Sequence, residues 1–147
     1  MTRTPEERVG QGGALRVRLD RDPSAPSVAR AAVSGFSKER ELSSRSLYTL
    51  ALLVSELVSN AVLHSDAPSG SEIHLSAREV GGDAIRVEVT DQGSGFAATP
   101  RDPERLEGGY GLFLVDSQAT SWGIERRCGT RVWFEIADPS RQEPEAE

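Results

Sequence analysis

Two hydrophobic periods share this chain, and the places where one gives way to the other mark its elements. Leu15, Val17 and Leu19 alternate with arginines over residues 14–19, the period of a half-buried strand. Pro23, Ser24 and Pro26 break that pattern. Ser24 is a candidate N-cap and Pro26 suits a first turn, so a helix is predicted from there to about Glu41. Ser43 and Ser44 offer a second cap, and a longer helix follows to about His64. After a loop over residues 66–70, two strands are predicted at 72–79 and 84–90. Ile73 and Leu75 share one face of the first; Ile85, Val87 and Val89 share one face of the second. Gly81-Gly82-Asp83 between them predicts a hairpin. Residues 91–109 are rich in glycine, proline and charge; a loop of 19 residues exceeds the usual connection and points to a ligand lid. A helix over 110–119 and two strands, 122–127 and 130–136, turning at Cys128-Gly129, complete the order β-α-α-β-β-α-β-β. That order predicts an α+β two-layer sandwich, a mostly antiparallel sheet with helices on one face. Residues 1–13 read as a flexible leader, 14–137 as one domain and 138–147 as a polar, proline-bearing, disordered tail.

At 100° per residue the second predicted helix places Leu50, Leu53, Val54, Leu57 and Ala61 on one face. Glu56, Asn60 and His64, four residues apart, share a narrow arc beside it, with Leu52 and Leu63 beyond. The helix is apolar nearly all round and is expected to be largely buried. Its polar groups then need partners, because a buried unpaired group costs about 1–3 kcal/mol. A ligand is one source of partners; water or a neighbouring helix is the other. A carboxylate and an amide one turn apart suit a magnesium-nucleotide: the Asn oxygen is a hard neutral ligand, and the Glu can orient or deprotonate a hydroxyl.

Two further clusters carry chemistry. In Asp91-Gln92-Gly93-Ser94-Gly95 an Asp at a strand end can accept from an exocyclic amine, and the glycines let backbone approach a flat ring. The same residues also make an ordinary turn. In residues 107–115, Glu-Gly-Gly-Tyr-Gly-Leu-Phe-Leu-Val, glycines run into an apolar helix start, where free amides and the positive helix end suit phosphate. A hinge before a core helix would look alike.

Composition narrows the field. With 147 residues, 37% hydrophobic and 27% charged, the chain fits one domain of ordinary composition. No apolar run approaches the roughly 20 residues of a membrane helix, and no apolar block follows the charged N-terminus as a secretory signal would require, so no membrane association and a cytoplasmic location are expected. A net charge of -6 argues against direct contact with nucleic acid. Lys38 is the one lysine, so no Walker-type phosphate loop exists. Cys128, the one cysteine, is expected to be a small buried or half-buried residue.

The order and spacing of E-x-x-x-N on a helix, D-x-G-x-G after a strand, a long loop, G-x-G at a helix start and Gly129-Thr130 before a last strand resemble the GHKL superfamily, the histidine kinase-like ATPases, over residues 14–136. The resemblance implies a Bergerat fold that binds ATP with Mg2+. It implies that Asn60 is the magnesium ligand and Glu56 the catalytic base. Asp91 would bond the adenine amine, with Gly93 and Gly95 lining the adenine side. Gly109, Gly111 and Leu112 would lie in the lid near the phosphates, and Thr130 would hold Asp91 or an adenine-linked water. His64 falls where the family has a basic or polar residue, or simply caps the helix. Within the superfamily the chain is most similar to small stand-alone serine-protein kinases that act as anti-sigma factors, of the actinobacterial type, to which residues 130–135 are also similar. Such a protein would phosphorylate a Ser or Thr of an anti-anti-sigma partner of the STAS type, sequester a sigma factor, and form a dimer through its first strand and helix. The alternative is a non-catalytic nucleotide-binding module acting only through protein contacts. One departure bears on this choice: close relatives often carry Arg between the two lid glycines, where this chain has Tyr110. Arg101 and Arg105 are substitutes for it, or simply solvated charges.

Overall fold

A computed structural model describes residues 7–9, 13–64, 67–68, 70–93, 106–126 and 128–138, with backbone only at 7–9, 64 and 106–111. The chain runs β1 (Glu7–Val9), β2 (Leu15–Asp20), α1 (Ala25–Glu39), α2 (Ser44–His64), β3 (Glu72–Val80), β4 (Ala84–Asp91), α3 (Leu106–Gln118), β5 (Ser121–Arg126) and β6 (Thr130–Ala137). All pairings are antiparallel, in the sheet order β1-β2-β3-β4-β6-β5. One face of the sheet carries Leu15, Val17, Leu19, Ile73, Leu75, Ile85, Val87, Val132 and Phe134 into a core shared with α1, α2 and α3. The predicted α+β sandwich with helices on one face is the fold observed.

α2 is held at both ends, and this sets its direction. At its start Ser43 is the N-cap: its Oγ accepts the Ser46 N–H at 3.2 Å. The Ser43 N–H donates to Asp138 Oδ2 at 2.9 Å, and the Asp138 N–H donates to Asp83 O, in the β3–β4 hairpin, at 2.7 Å. At its other end Arg21, just past β2, donates from Nε to Ala61 O at 3.2 Å and from Nη1 to Ala67 O at 2.6 Å. The helix therefore runs along the sheet from the hairpin end toward the end where β2 and β4 finish and β3 and β6 begin. Between these ties Leu50, Leu53, Val54, Leu57, Val58 and Ala61 are buried.

Several expectations change. Residues 7–9 form a strand on the edge of β2, pairing Arg8 with Arg16; three residues are too few for a period to show, and the open edge supplies the partners. Asp138, assigned to the tail, is completely buried because it caps α2. α3 starts at Leu106, inside the predicted loop, because docking of Leu112 and Val115 in the core outweighs the low helix propensity of its glycines. Leu63 is 72% exposed while Leu52 is half-buried, so the arc beyond Glu56 and Asn60 turns to solvent at the end of the helix. Cys128 is exposed, with φ 48 in the turn between β5 and β6, where the fold offers it no core. Ser24 occupies the N-cap position of α1 without capping it; its hydroxyl donates to Asp22 instead. Finally, Ser44–Leu63 is long and apolar enough to cross a membrane by length and composition, with mean hydropathy 1.5, against the expectation that no segment approached this. Its apolar face packs on α1, α3 and the sheet.

Candidate functional site

Antiparallel register decides which residues meet. His74 pairs with Thr90, Asp91 with Thr130, and Asp20 with Glu72. The ends of β2 and β4 and the starts of β3 and β6 therefore lie at one end of the sheet. The Arg21 clamp on Ala61 brings the last turns of α2, with Asn60, to that same end. Three sequence motifs far apart in the chain converge there: the E-x-x-x-N helix, the D-x-G strand end and the Gly-Thr strand start.

Asp91 is 5% exposed, and its Oδ1 accepts the Gly93 N–H at 2.7 Å, which closes a tight turn directly after β4. Thr130, 1% exposed, donates its hydroxyl to Gly93 O at 3.0 Å. Gly93 is thus held from both sides, by Asp91 at its nitrogen and by Thr130 at its oxygen. Gly129 makes this packing feasible: at φ +126 a Cβ there would collide with Asp91 O and stand 3.3 Å from Gln92 Cα. Thr130 and Asp91 thus share Gly93 as a partner.

Asn60 is 8% exposed, and its Nδ2 has no hydrogen-bond partner among the described residues. A buried amide left unpaired is destabilising by about 1–3 kcal/mol. Such an atom at the end of the sheet where Asp91 and Thr130 gather fits a ligand that brings its own acceptors, as a nucleotide phosphate does. Glu56, one turn earlier and half-buried, lies on the same side of α2. Among the described residues no cluster of three His, Cys, Asp or Glu side chains could hold a metal ion. A magnesium ion here would take most of its ligands from phosphate and water.

The remaining predicted residues divide. His64 is the last residue of α2, and its side chain lies outside the described residues, as do Gly95, Arg101 and Arg105. Gly109 and Gly111 fall inside the early turns of α3 rather than in a loop before it. Leu112 is completely buried in the core, so its side chain serves packing. Sequence reasoning missed Arg21, whose signal is only a charge after a strand, and Asp138, which reads as tail. The close approach of Gly129 was legible in part, as a glycine directly before the last strand. A depression of about 630 Å³ lies elsewhere, on the opposite face of the sheet.

The chain is similar to known proteins in the same terms. It is 30% identical over 132 residues to the serine-protein kinase RsbW of Oceanobacillus iheyensis, covering 80% of this chain and 82% of that one. Its fold is similar to the RsbU and RsbW domains of Rv1364c from Mycobacterium tuberculosis, with TM-score 0.68, 22% identity and 85% of this chain covered; the chain spans about a third, 32%, of that protein's structure. It is also similar to the blue-light activated histidine kinase of Erythrobacter litoralis EL346, with TM-score 0.55, 25% identity, 68% of this chain and 33% of that one. Residues 19–136 match the Histidine kinase-like ATPase domain. The chain belongs to the histidine kinase-like ATPase domain family.

Proposed function

We propose that the protein is an ATP-dependent serine/threonine-protein kinase that acts in the cytoplasm as an anti-sigma factor. It would phosphorylate an anti-anti-sigma partner of the STAS type and sequester a sigma factor. The observation that carries the reading is the buried Nδ2 of Asn60, unpartnered among the described residues, at the end of the sheet where Gly93 is pinned between Asp91 and Thr130. Similarity to a serine-protein kinase over most of both chains supports the reaction class.

ATP with Mg2+, when bound, supplies the transferable phosphoryl group and neutralises its charge. Asp91, held by Gly93, would accept a hydrogen bond from the adenine amine. Thr130 and Gly129 would keep that turn in place. Asn60 would hold the metal and phosphate side, and Gly109 and Gly111 would let α3 approach the phosphates. Glu56 would orient the acceptor hydroxyl and take its proton. Catalysis would then be chiefly positioning by a rigid helix against a rigid strand end.

Tyr110, where the family resemblance leads one to expect Arg, favours a second reading: a module that binds nucleotide and acts only through protein contacts. One assay separates the two. Glu56→Gln should bind Mg-ATP nearly as wild type does and transfer phosphate to its partner about 100- to 10,000-fold more slowly. A wild type that binds its partner without measurable transfer supports the module. An active wild type whose Glu56→Gln variant keeps its full rate removes Glu56 from the mechanism.

A further inference from the structure

Asn60 lies four residues before the end of α2 at His64. A helix end is a poor place to fix a ligand. The carbonyls of its last four residues, here 61–64, have no amide within the helix to bond, and end turns fray. A binding group has to be held within about 0.5 Å of its working position. The last turn of α2 therefore needs a tie from outside the helix.

Arg21 is that tie. Its Nε donates to Ala61 O at 3.2 Å and its Nη1 to Ala67 O at 2.6 Å. Both alanines are buried, which leaves little water to serve their carbonyls. The planar fork fixes the angle between the two bonds, so a carbonyl on the helix end and one six residues further on are held relative to each other. A positive charge also suits the carbonyl end of a helix. The base of the fork is itself rigid. Asp20, directly before Arg21, pairs with Glu72 in the sheet. Directly after it the Asp22 N–H donates to Asp20 O at 2.9 Å, and Asp22 Oδ1 accepts the Ser24 N–H at 2.8 Å. The guanidinium thus carries the position of the sheet end to the turn that holds Asn60.

The rest of α2 is secured by other means. Ser43 and Asp138 fix its start, and Leu50, Leu53, Val54 and Leu57 bury its inner face. Arg21 acts where those anchors end. We propose that Arg21 is a positioning residue of the nucleotide site: its fork sets the last turn of α2 so that Asn60 meets magnesium and phosphate. It acts through Asn60 rather than by touching the ligand. This inference rests on the nucleotide reading given above.

The test combines calorimetry of ATP binding, with magnesium and with EDTA, and amide exchange of the ligand-free protein. Arg21→Met removes the fork and keeps an unbranched stem. It should lose about 10- to 100-fold of the tightening by magnesium, as loss of a group that orients a metal ligand does, with ATP affinity in EDTA near wild type. Amides of residues 60–64 should exchange faster, and those of 47–58 should not. Arg21→Lys, which keeps the charge without the fork, should recover only part of the magnesium effect, and it serves where Arg21→Met does not fold. Asp138→Ala, a change at the other end of the same helix, is the control: it should lower Tm and leave the magnesium effect intact. An Arg21→Met protein with the full magnesium effect overturns the proposal. So does one whose ATP affinity falls equally with magnesium and with EDTA, since Arg21 would then only support the fold. A wild type without magnesium-dependent ATP binding overturns the nucleotide reading itself and this role with it, and that outcome is visible before any variant is made.

Discussion

α2 has an aspartate at each end of its path along the sheet, and the two are used differently. At the hairpin end Asp138 is completely buried, accepts the Ser43 N–H and ties the helix start to the β3–β4 turn. At the far end Asp91 is nearly as buried and accepts the Gly93 N–H, yet its neighbourhood holds Asn60, whose Nδ2 has no partner among the described residues. Residue type and burial are the same, so neither identifies a site. What separates the two ends is what stands beside the carboxylate: the capped start of a helix at the hairpin end, and at the far end Asn60, whose amide nitrogen is unpaired among the described residues. The hairpin end invests its carboxylate in the fold, and the far end carries the proposed nucleotide site.

That contrast is open to direct attack, and the largest effect should come at Asp91. Asp91→Ala should lower ATP affinity by roughly 10- to 150-fold, the worth of a charge-assisted hydrogen bond, and weaken discrimination against GTP. Unchanged ATP affinity by calorimetry would refute the assignment of Asp91 to adenine. Asp138→Ala should do the reverse. Loss of a cap on α2 should lower stability by about 0.5–2 kcal/mol, seen as a drop in Tm of about 2–4 °C per kcal/mol, with ATP affinity retained. An Asp138→Ala protein that is as stable as wild type but fails to bind ATP would erase the distinction between the ends.

Asn60→Ala sharpens the comparison further. It should abolish the tightening of ATP binding by magnesium, yet leave the ligand-free protein as stable as wild type or slightly more so, because a buried amide nitrogen with no partner among the described residues is removed. A clear loss of Tm without ligand would mean that Asn60 is structural. The smallest effect concerns Asp22, at the start of α1. The Ser24 hydroxyl, followed by the Ser24 N–H, holds its carboxyl below the ordinary value of 3.8. A lowered folded-state pKa stabilises the protein above the unfolded value, and that stabilisation is lost as pH falls through the folded value. The Tm difference between wild type and Asp22→Asn should be positive near neutral pH and should shrink once pH drops below 3.8. A difference that stays constant through the acid range would break the link.

Much of this molecule was legible locally. Period two at Leu15, Val17 and Leu19, and the glycine hairpin after β3, describe neighbours in sequence, and the strands formed where those patterns lie. The arc of Glu56 and Asn60 followed from helical geometry alone. The start of α3 was misplaced because glycine propensity is a local signal, while the docking of Leu112 is not.

By itself the sequence determined the fold class, the helix that carries Glu56 and Asn60, and the motifs that mark the family. Tertiary structure alone decided which motifs meet. Thr130 reaches Gly93 across 37 residues, Arg21 reaches Ala61 across 40, and Asp138 reaches Ser43 across 95. Periodicity reports which face of an element is apolar. It carries no information about register between strands or about which buried donor is left without an acceptor. Those depend on how the elements pack, and in this protein they separate the end of the sheet that holds the fold together from the end that holds the candidate site.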